Sequence, residues 1–287
     1  MIESRIGISQ GTRPAADRIL TEKVDHALLS NESLKGIIYD EVKVACTAGT
    51  VRLEGYIDTV LDKHRATDAV QQVPDVLQIE NELVIDADLI YRIAELLAHD
   101  SRMDGEQIGV NAQQGFVYLF GEASTATVRK SASEIVAAVP TVRGVVNHIH
   151  VAGEETETEQ EKAEERILQP AIGMEIFATD DTIGHLQQVV IDQNSRRVKA
   201  LVVAAHFPSL TAQPSVWQNA EDIQTKRTIV VPISVIRDSL NSAIFLTVDR
   251  QHAAHFADID PSLYQSPPDD WQAPYPYQSA DVVVMPM

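Results

Sequence analysis

The sequence predicts an α+β protein in which two copies of a small α-β-β-α-β domain precede a small antiparallel β-barrel. Two observations carry this prediction. The first half of the chain repeats itself with a shift of 66 residues, and the second half breaks into short apolar runs separated by turn residues. With 287 residues, the chain is long enough for three domains of this size.

The repeat is clearest in the pattern G-x-V-x-L-x-G, which covers residues 49–55 and recurs at residues 115–121. The match continues without a gap, so that Thr59 meets Thr125 and, further on, Asn81 meets Asn147. Identical spacing over such a long stretch is hard to obtain by chance. We therefore predict that the two segments share one fold.

Each copy begins with an amphipathic helix, followed by two alternating apolar runs with a glycine between them, as in a β-hairpin. A second helix ends before Pro74 in the first copy and before Pro140 in the second, and a last strand follows. Because so small a domain buries only about 60% of its unfolded surface, we expect the two copies to stabilise each other.

The α-β-β-α-β order, the glycine-flanked hairpin and the last strands at 76–81 and 142–147 together resemble the BON domain. This module is named for bacterial osmotically inducible and nodulation proteins. The resemblance covers about residues 16–151. It implies binding to membranes, phospholipids or small ligands, and it does not imply catalysis.

The second half of the chain resembles a PRC-barrel domain over residues 168–250. The features that carry the resemblance are a glycine-led first strand, a turn, a strand ending in Asp, an apolar strand and a V-P element: Gly173, Ile183-Gly184, Asp192, Ala200–Val203 and Val231-Pro232. The family includes the cytoplasmic part of the photosynthetic reaction-centre H subunit and a domain of a ribosome-maturation factor. The resemblance therefore implies a docking adaptor.

These patterns predict six segments: a flexible N-terminus (1–15), two BON-like domains (16–86 and 87–152), an acidic linker (153–167), a PRC-barrel-like domain (168–250) and a Pro/Tyr-rich tail (251–287). Because the glutamates of the linker repel one another, we expect the domains on either side to move independently. The aromatic side chains of the tail either dock on a partner or fold back on the barrel. The insertion at 216–227 has no predicted role.

The charge balance excludes one class of partner. The chain has 42 acidic and 23 basic residues, a formal net charge of −19, so its surface repels nucleic-acid phosphates and we predict no nucleic-acid partner. No apolar run reaches the length of a transmembrane helix. The first residues contain no run typical of a signal peptide, so we expect a cytoplasmic protein, free or peripheral to the membrane.

One surface of the second repeat is a candidate for binding a protein partner, a small ligand or a lipid headgroup. Strand alternation places four ring-bearing side chains on the face opposite the core: Tyr118, Phe120, His148 and His150. The matching positions of the first repeat suit a solvated surface: Arg52, Glu54, Glu82 and Val84. Because an exposed aromatic patch usually marks an interface, we predict a contact surface on the second repeat alone.

Catalytic and metal-binding alternatives have less support in the sequence. Two histidines supply half of a tetrahedral zinc shell, and no third ligand has useful spacing. A Cys46 thiol beside His26 or His64 lacks an orienting third group, and strand alternation turns Cys46 towards the core. Six glycines are predicted to serve turns and close packing: Gly49, Gly55, Gly115, Gly121, Gly173 and Gly184.

The sequence therefore favours a non-enzymatic adaptor or scaffold without a cofactor, which binds a protein or membrane-associated partner. The alternative is a sensor in which the repeats bind a small molecule, an ion or a phospholipid headgroup and the barrel serves as the output module.

Overall fold

The computed structural model describes residues 13–34, 42–151, 168–208, 224–240, 243–268 and 271–285. Most of the predicted flexible N-terminus, all of the acidic linker and much of the 216–227 insertion lie outside the described residues. The chain divides into two compact units. One contains residues 1–105 and 109–118, and the other contains residues 106–108 and 119–287.

The first repeat has the predicted α-β-β-α-β order. Its elements are α1 (Arg13–Ser30), β1 (Val42–Thr47), β2 (Thr50–Ile57), α2 (Val60–Gln71), β3 (Gln78–Asn81) and β4 (Val84–Ile85). β1 and β2 form an antiparallel hairpin, and β3 and β4 both run parallel to β2. The single last strand predicted from the sequence is divided in two, and the Asn81 side chain accepts the Leu83 amide in the gap.

Helix periodicity and strand alternation explain the core of the first repeat. Each helix packs one apolar stripe against the sheet, and alternate residues of β2 face both helices. Together these side chains form a fully or almost fully buried cluster: Leu20, Val24, Leu28, Val51, Leu53, Ala66 and Val70. β1 contributes half-buried residues, among them Cys46. The predicted core position of Cys46 is therefore at the edge of the cluster.

The second repeat has the same order of elements. They are α3 (Asp86–His99), a 3₁₀ turn (Ser101–Met103), β5 (Gln107–Gln113), β6 (Phe116–Ala123), α4 (Ala126–Ala137) and β7 (Gly144–Val151), and the sheet order is β5-β6-β7. Its buried alanine and valine on α4, Ala132 and Val136, match Ala66 and Val70 at a shift of 66 residues, and all four are 0% exposed.

The repeated polar residues form the same hydrogen bonds in both copies. Thr59 and Thr125 are the N-caps of α2 and α4, and each hydroxyl accepts an amide three residues later. The Asn81 amide donates to Lys63 O at 3.3 Å and Thr67 Oγ1 at 2.9 Å. Asn147 repeats this arrangement on α4, with Arg129 O and Ser133 Oγ both at 2.8 Å. Each asparagine thus ties the last strand of its repeat to the second helix.

The C-terminal region forms a seven-stranded sheet. Its elements are β8 (Glu175–Phe177), β9 (Thr182–Ile191), β10 (Val198–Pro208), β11 (Gln224–Pro232), β12 (Ile236–Leu240), β13 (Ala243–Leu246), α5 (Arg250–Ala253) and β14 (Val282–Val284). The hydrogen-bonded order is β11-β10-β9-β8-β13-β12, with β14 on β9. Among the described strands, this order does not close into a barrel.

The sheet also departs from the predicted antiparallel arrangement at two places. β13 pairs parallel with β8, and β14 pairs parallel with β9. Parallel neighbours require a long connection, and in both cases several other elements separate the two strands along the chain. The sequence showed short strands and turns, but it did not show which distant strands become neighbours.

The C-terminal segment folds back on this sheet. Of the two alternatives for the tail aromatics, docking on a partner or folding back, the structure shows the second for Trp271 and Tyr277. Gln265 and Val284 exchange backbone hydrogen bonds at 3.0 and 2.8 Å. Tyr277 is buried in the core of the sheet, and its hydroxyl donates to Pro170 O at 2.9 Å. Burial raises the pKa of the Tyr277 phenol far above its ordinary value. Trp271 packs against the same core.

A buried arginine joins the end of the second repeat to the C-terminal sheet. Arg196, which is 2% exposed, donates to Val139 O at 2.8 Å and to Gln272 O at 2.7 Å. Val145 donates its amide to Ser195 O at 2.8 Å. The expectation that the two sides of the linker move independently is therefore wrong for these residues, because direct hydrogen bonds join the second repeat to the C-terminal sheet.

Candidate functional site

Strands β6 and β7 position the four residues that the sequence marked as a contact surface. Alternate residues of β6, Val117 and Leu119, are 0% exposed, whereas Phe120 is 49% exposed. Tyr118 and His148 are half-buried, and His150 is exposed. Phe120, His148 and His150 belong to one compact unit, and Tyr118 is the last residue of the other. Whether they bind a partner stays a prediction.

One end of this face is closed to a partner. Val146, which alternation places on the same side as His148 and His150, is only 3% exposed. All residues from Val142 to Val146 are buried, where the Ser195–Arg196 turn packs against the start of β7. The accessible part of the surface therefore lies around Phe120 and His150.

The corresponding face of the first repeat is a network of ion pairs. Arg52 lies 2.7 Å from Glu80, 3.8 Å from Glu82 and 3.9 Å from Glu54. The hydrogen bond to Glu80 raises the pKa of the Arg52 guanidinium above its ordinary value. These side chains are about half exposed, so the network satisfies its own charges at the surface and adds little to stability.

A groove between α1 and α2 was not predicted from the sequence. It has a volume of about 470 Å³, and its walls are largely apolar, with a polar rim: Ile19, Ala27, Ala69, Val73 and Pro74, then Glu22, Lys23, His26 and Gln72. Ile19 is 49% exposed. The available signal was the pair Ile19-Leu20, because two adjacent helix residues cannot both face the same core.

A second cleft, of about 360 Å³, lies at one end of β8, β9 and β10. Its polar lining includes Glu175, His185, His206 and Arg250. The Arg250 guanidinium is already engaged, since it donates to Asp181 Oδ2 and to His206 O, both at 2.8 Å. This cleft therefore has a structural ion pair at its edge.

The cysteine and histidine candidates do not assemble a reactive centre. Burial raises the pKa of the Cys46 thiol above its ordinary value, which lowers the fraction of the nucleophilic thiolate. His26 is exposed and lies 3.4 Å from the Ser30 hydroxyl. Within the ranges that the structure describes, no three His, Cys, Asp or Glu side chains converge as metal ligands.

None of the described helices combines the length and the apolar character that crossing a bilayer requires.

Comparison with known proteins gives a family match for both repeats. Residues 16–87 and residues 85–153 each match the BON domain family. The two successive matches support tandem BON domains in the N-terminal half, and no family match supports the PRC-barrel. No curated protein matches the sequence.

Similar solved structures include two of CdsD, a structural protein of the type III secretion system of Chlamydia trachomatis. The first, a C-terminal domain, is 17% identical with a TM-score of 0.39, and the match covers 47% of this chain and 66% of that one. The second is 16% identical with a TM-score of 0.40, and the match covers 54% and 70%. This chain thus spans just under two thirds of the first. These TM-scores give no basis for transferring a function.

Proposed function

We propose that this chain is a non-enzymatic adaptor that holds a protein or membrane-associated partner, with the tandem BON domains of its N-terminal half as the binding modules. The observation that carries the proposal is the exposed aromatic side chain on the second repeat. Phe120 is 49% exposed at the position where the first repeat has Glu54, a residue of the ion-pair network.

An exposed phenylalanine is costly to leave in water and favourable to cover. Burying a side chain of this size contributes about 1.5–3 kcal/mol, and aromatic residues in a desolvated pocket are typical anchors of protein interfaces. His150, on the adjacent strand, is exposed and offers ring nitrogens that donate or accept hydrogen bonds beside this anchor. An apolar centre with a polar surround is the usual composition of an interface.

The contacts of Arg196 and Arg143 give this surface a defined position relative to the C-terminal sheet. Arg143 is 7% exposed, donates to the Gln169 side chain at 2.7 Å and lies 5.4 Å from the centre of the Tyr275 ring. We therefore assign residues 168–250, with their PRC-barrel-like pattern, a docking role beside the repeats. An adaptor of this kind presents two surfaces at a constant distance.

The net charge of the chain limits the classes of partner that it can bind. With a net charge of −19, the chain repels anionic lipids and nucleic acids, and it favours a partner whose contact surface is locally basic or neutral. A cytoplasmic protein, or a component of a complex at the membrane periphery, fits this balance.

The test compares full-length Phe120→Ser with Glu54→Ser, its matched control at the equivalent position of the first repeat. Both variants are used as bait in a quantitative pull-down from the native cells. We expect the wild type and Glu54→Ser to retain the same partners, and Phe120→Ser to lose at least about tenfold of the main partner, since tenfold equals about 1.4 kcal/mol. Equal recovery by both variants, at unchanged circular dichroism, would contradict the proposal.

A ligand sensor is the second candidate, and the groove between α1 and α2 favours it. Its volume of about 470 Å³ lies in the range of small-molecule sites, and it combines apolar walls with the polar rim of Glu22 and His26. Neutral phospholipid vesicles should then raise the melting temperature of the wild type and not that of Ala69→Glu, which places a charge in the groove. Equal shifts, or none, would exclude this site.

A further inference from the structure

Helix α3 has an apolar stripe on each of two opposite faces. Its inner stripe consists of Leu89, Ile93 and Leu97, which are at most 5% exposed. The opposite stripe, called the outer face here, contains only alanine and tyrosine: Ala87, Tyr91, Ala94 and Ala98. Tyr91 is 77% exposed, Ala94 and Ala98 are exposed, and Ala87, at the start of the helix, is half-buried against the core of the first repeat. The spacing i, i+4, i+7 and i+11 makes the outer face a continuous line along the helix.

The fold does not require this outer face to be apolar. Helix α1 packs in the same way as α3, since Leu20, Val24 and Leu28 precede the inner residues of α3 by 69 positions. The residues of α1 that match the outer face are mostly charged: Arg18, Glu22, Asp25 and Leu29. The apolar character of the outer face is therefore a property of the second repeat and not of the domain.

Four ionisable residues follow the outer face along one side. Each stands one position after a residue of the stripe: Asp88, Arg92, Glu95 and His99. The charges of Asp88, Arg92 and Glu95 alternate along the helix. Among the described residues, the side chains of Asp88, Arg92 and Glu95 form no hydrogen bond or ion pair.

We infer that the outer face of α3 binds the outer face of α3 in a second copy of this chain, with the two helices antiparallel. A two-fold axis near residue 93 sets Tyr91 against Ala94 of the other copy, so the large side chain meets a small one, and it sets Ala98 near the start of the opposing helix. In an antiparallel pair, the line of ionisable residues on one helix faces the same line on the other helix. Arg92 then lies beside Glu95 of the second copy and Asp88 beside His99, and the axis repeats each pair.

This self-complementarity distinguishes a second copy from a foreign partner. Arg92 and Glu95 exchange places when one helix is reversed, so this pair is complementary to its own copy, and such symmetry is required of an isologous interface. Alanine at three of the four stripe positions permits a close approach of the two helices.

The outer face continues beyond α3. The Ala87 amide donates to Asp58 O at 3.3 Å, which places the start of α3 beside the first turn of α2. There, Val60 and Leu61 are 49% and 57% exposed. The last turn of the opposing helix would cover these side chains. One helix pair with this extension is a small interface, so we expect self-association to be weak and reversible.

The experiment uses the full chain in sedimentation equilibrium up to about 0.5 mM, a range that detects weak complexes. We expect a monomer–dimer equilibrium for the wild type. Tyr91→Ser should raise the dissociation constant at least about tenfold, which equals about 1.4 kcal/mol. Leu77→Ser is the matched control, because Leu77 is 82% exposed and lies on the strand side of the first repeat; it should leave dimerisation unchanged. A monomeric wild type, or equal effects of the two variants, would overturn the inference.

Charge reversal tests the antiparallel arrangement separately. Arg92→Glu places a glutamate beside Glu95 of the other copy, and Glu95→Arg places an arginine beside Arg92 of the other copy. Because the two-fold axis repeats each like-charge pair, each variant should weaken dimerisation at least about tenfold. The double variant restores opposite charges and should return to within about threefold of the wild type. If the double variant dimerised as weakly as the single variants, the antiparallel arrangement would be wrong. The outer face would then bind a foreign partner or a second copy in another orientation. Binding through Phe120 would be unaffected by any of these results.

Discussion

The two repeats of this chain, which match the BON domain, share an interior and differ on their outward faces. In both, a threonine caps the second helix, an asparagine ties the last strand to that helix, and alanine and valine at the same positions are fully buried. The outward face of the first sheet is a surface of ion pairs around Arg52, whereas the second sheet exposes Phe120. The outward side of α1 is charged, and that of α3 is apolar.

The comparison separates what the fold requires from what it permits. Buried hydrogen bonds and close-packed side chains must recur in each copy, because an unsatisfied polar group or a cavity costs a kilocalorie per mole or more. Exposed positions carry no such cost and are free to differ. Residues that differ between the copies at exposed positions are therefore the places to look for function.

The hairpin turn provides the largest expected difference between the repeats. In the second repeat, the buried carboxylate of Asp86 accepts the amides of Gln114 at 2.5 Å and Gly115 at 2.9 Å. In the first, the half-buried Asp17 accepts the Ala48 amide at 2.9 Å and accepts no second amide from the described residues. We expect Asp86→Ala to lower the free energy of hairpin opening by about 3 kcal/mol and Asp17→Ala by about 1 kcal/mol or less. Hydrogen exchange of the strand amides measures both, and equal losses would contradict the comparison.

The glycine of the same turn gives the next largest difference. Gly115 has φ +76°, and a Cβ there would lie 2.3 Å from the ring of Tyr56, which is buried. Gly49 has φ +84°, but its Cβ would meet the exposed side chain of Leu77 at 2.8 Å, which can move away. Gly115→Ala should therefore cost about 3 kcal/mol and Gly49→Ala about 1 kcal/mol of unfolding free energy.

Gly105→Ala is the control for this pair. Gly105 has φ +83°, and no atom of the described residues lies within 4 Å of an added Cβ, so this variant measures the backbone strain alone. Its cost, from chemical unfolding followed by circular dichroism, should be close to that of Gly49→Ala. A cost as large as that of Gly115→Ala would show that strain, and not the Tyr56 contact, dominates.

The smallest expected difference concerns pH. After α1, Asn31 accepts the Ser33 amide at 3.1 Å, and after α3, Asp100 accepts the Arg102 amide at 3.0 Å. Hydrogen bonds from the Arg102 side chain and backbone lower the pKa of Asp100 to about 2. Because this folded pKa is below the ordinary value of 3.8, Asp100 stabilises its turn above pH 3.8, and the contribution is lost as the pH falls towards 2.

An NMR titration checks this. The amide of Arg102 should shift with a midpoint of about 2, and that of Ser33, whose partner Asn31 is neutral, should not titrate. A midpoint near 3.8 for Arg102 would remove the proposed difference between the turns.

The repeats were predictable because their pattern is local. A helix stripe, a hairpin glycine and a proline after a helix each depend on residues a few positions apart, and the shift of 66 residues showed that the pattern occurs twice. The same reasoning assigned the core positions of β6, where Val117 and Leu119 are fully buried. It could not show that Val146 is covered, since the Ser195–Arg196 turn is distant in sequence.

The sequence by itself determined the order of elements in both repeats, the buried stripes and the acidic surface, because periodicity and composition act within one element. The tertiary structure decided which strands of the C-terminal sheet are parallel neighbours, that the segment with Tyr277 folds back, and that Arg196 joins the second repeat to the sheet. These features depend on contacts between residues far apart in the chain. The sequence does not distinguish a buried arginine from an exposed one. Only the fold provides the carbonyl groups that accept hydrogen bonds from Arg196 and allow its burial.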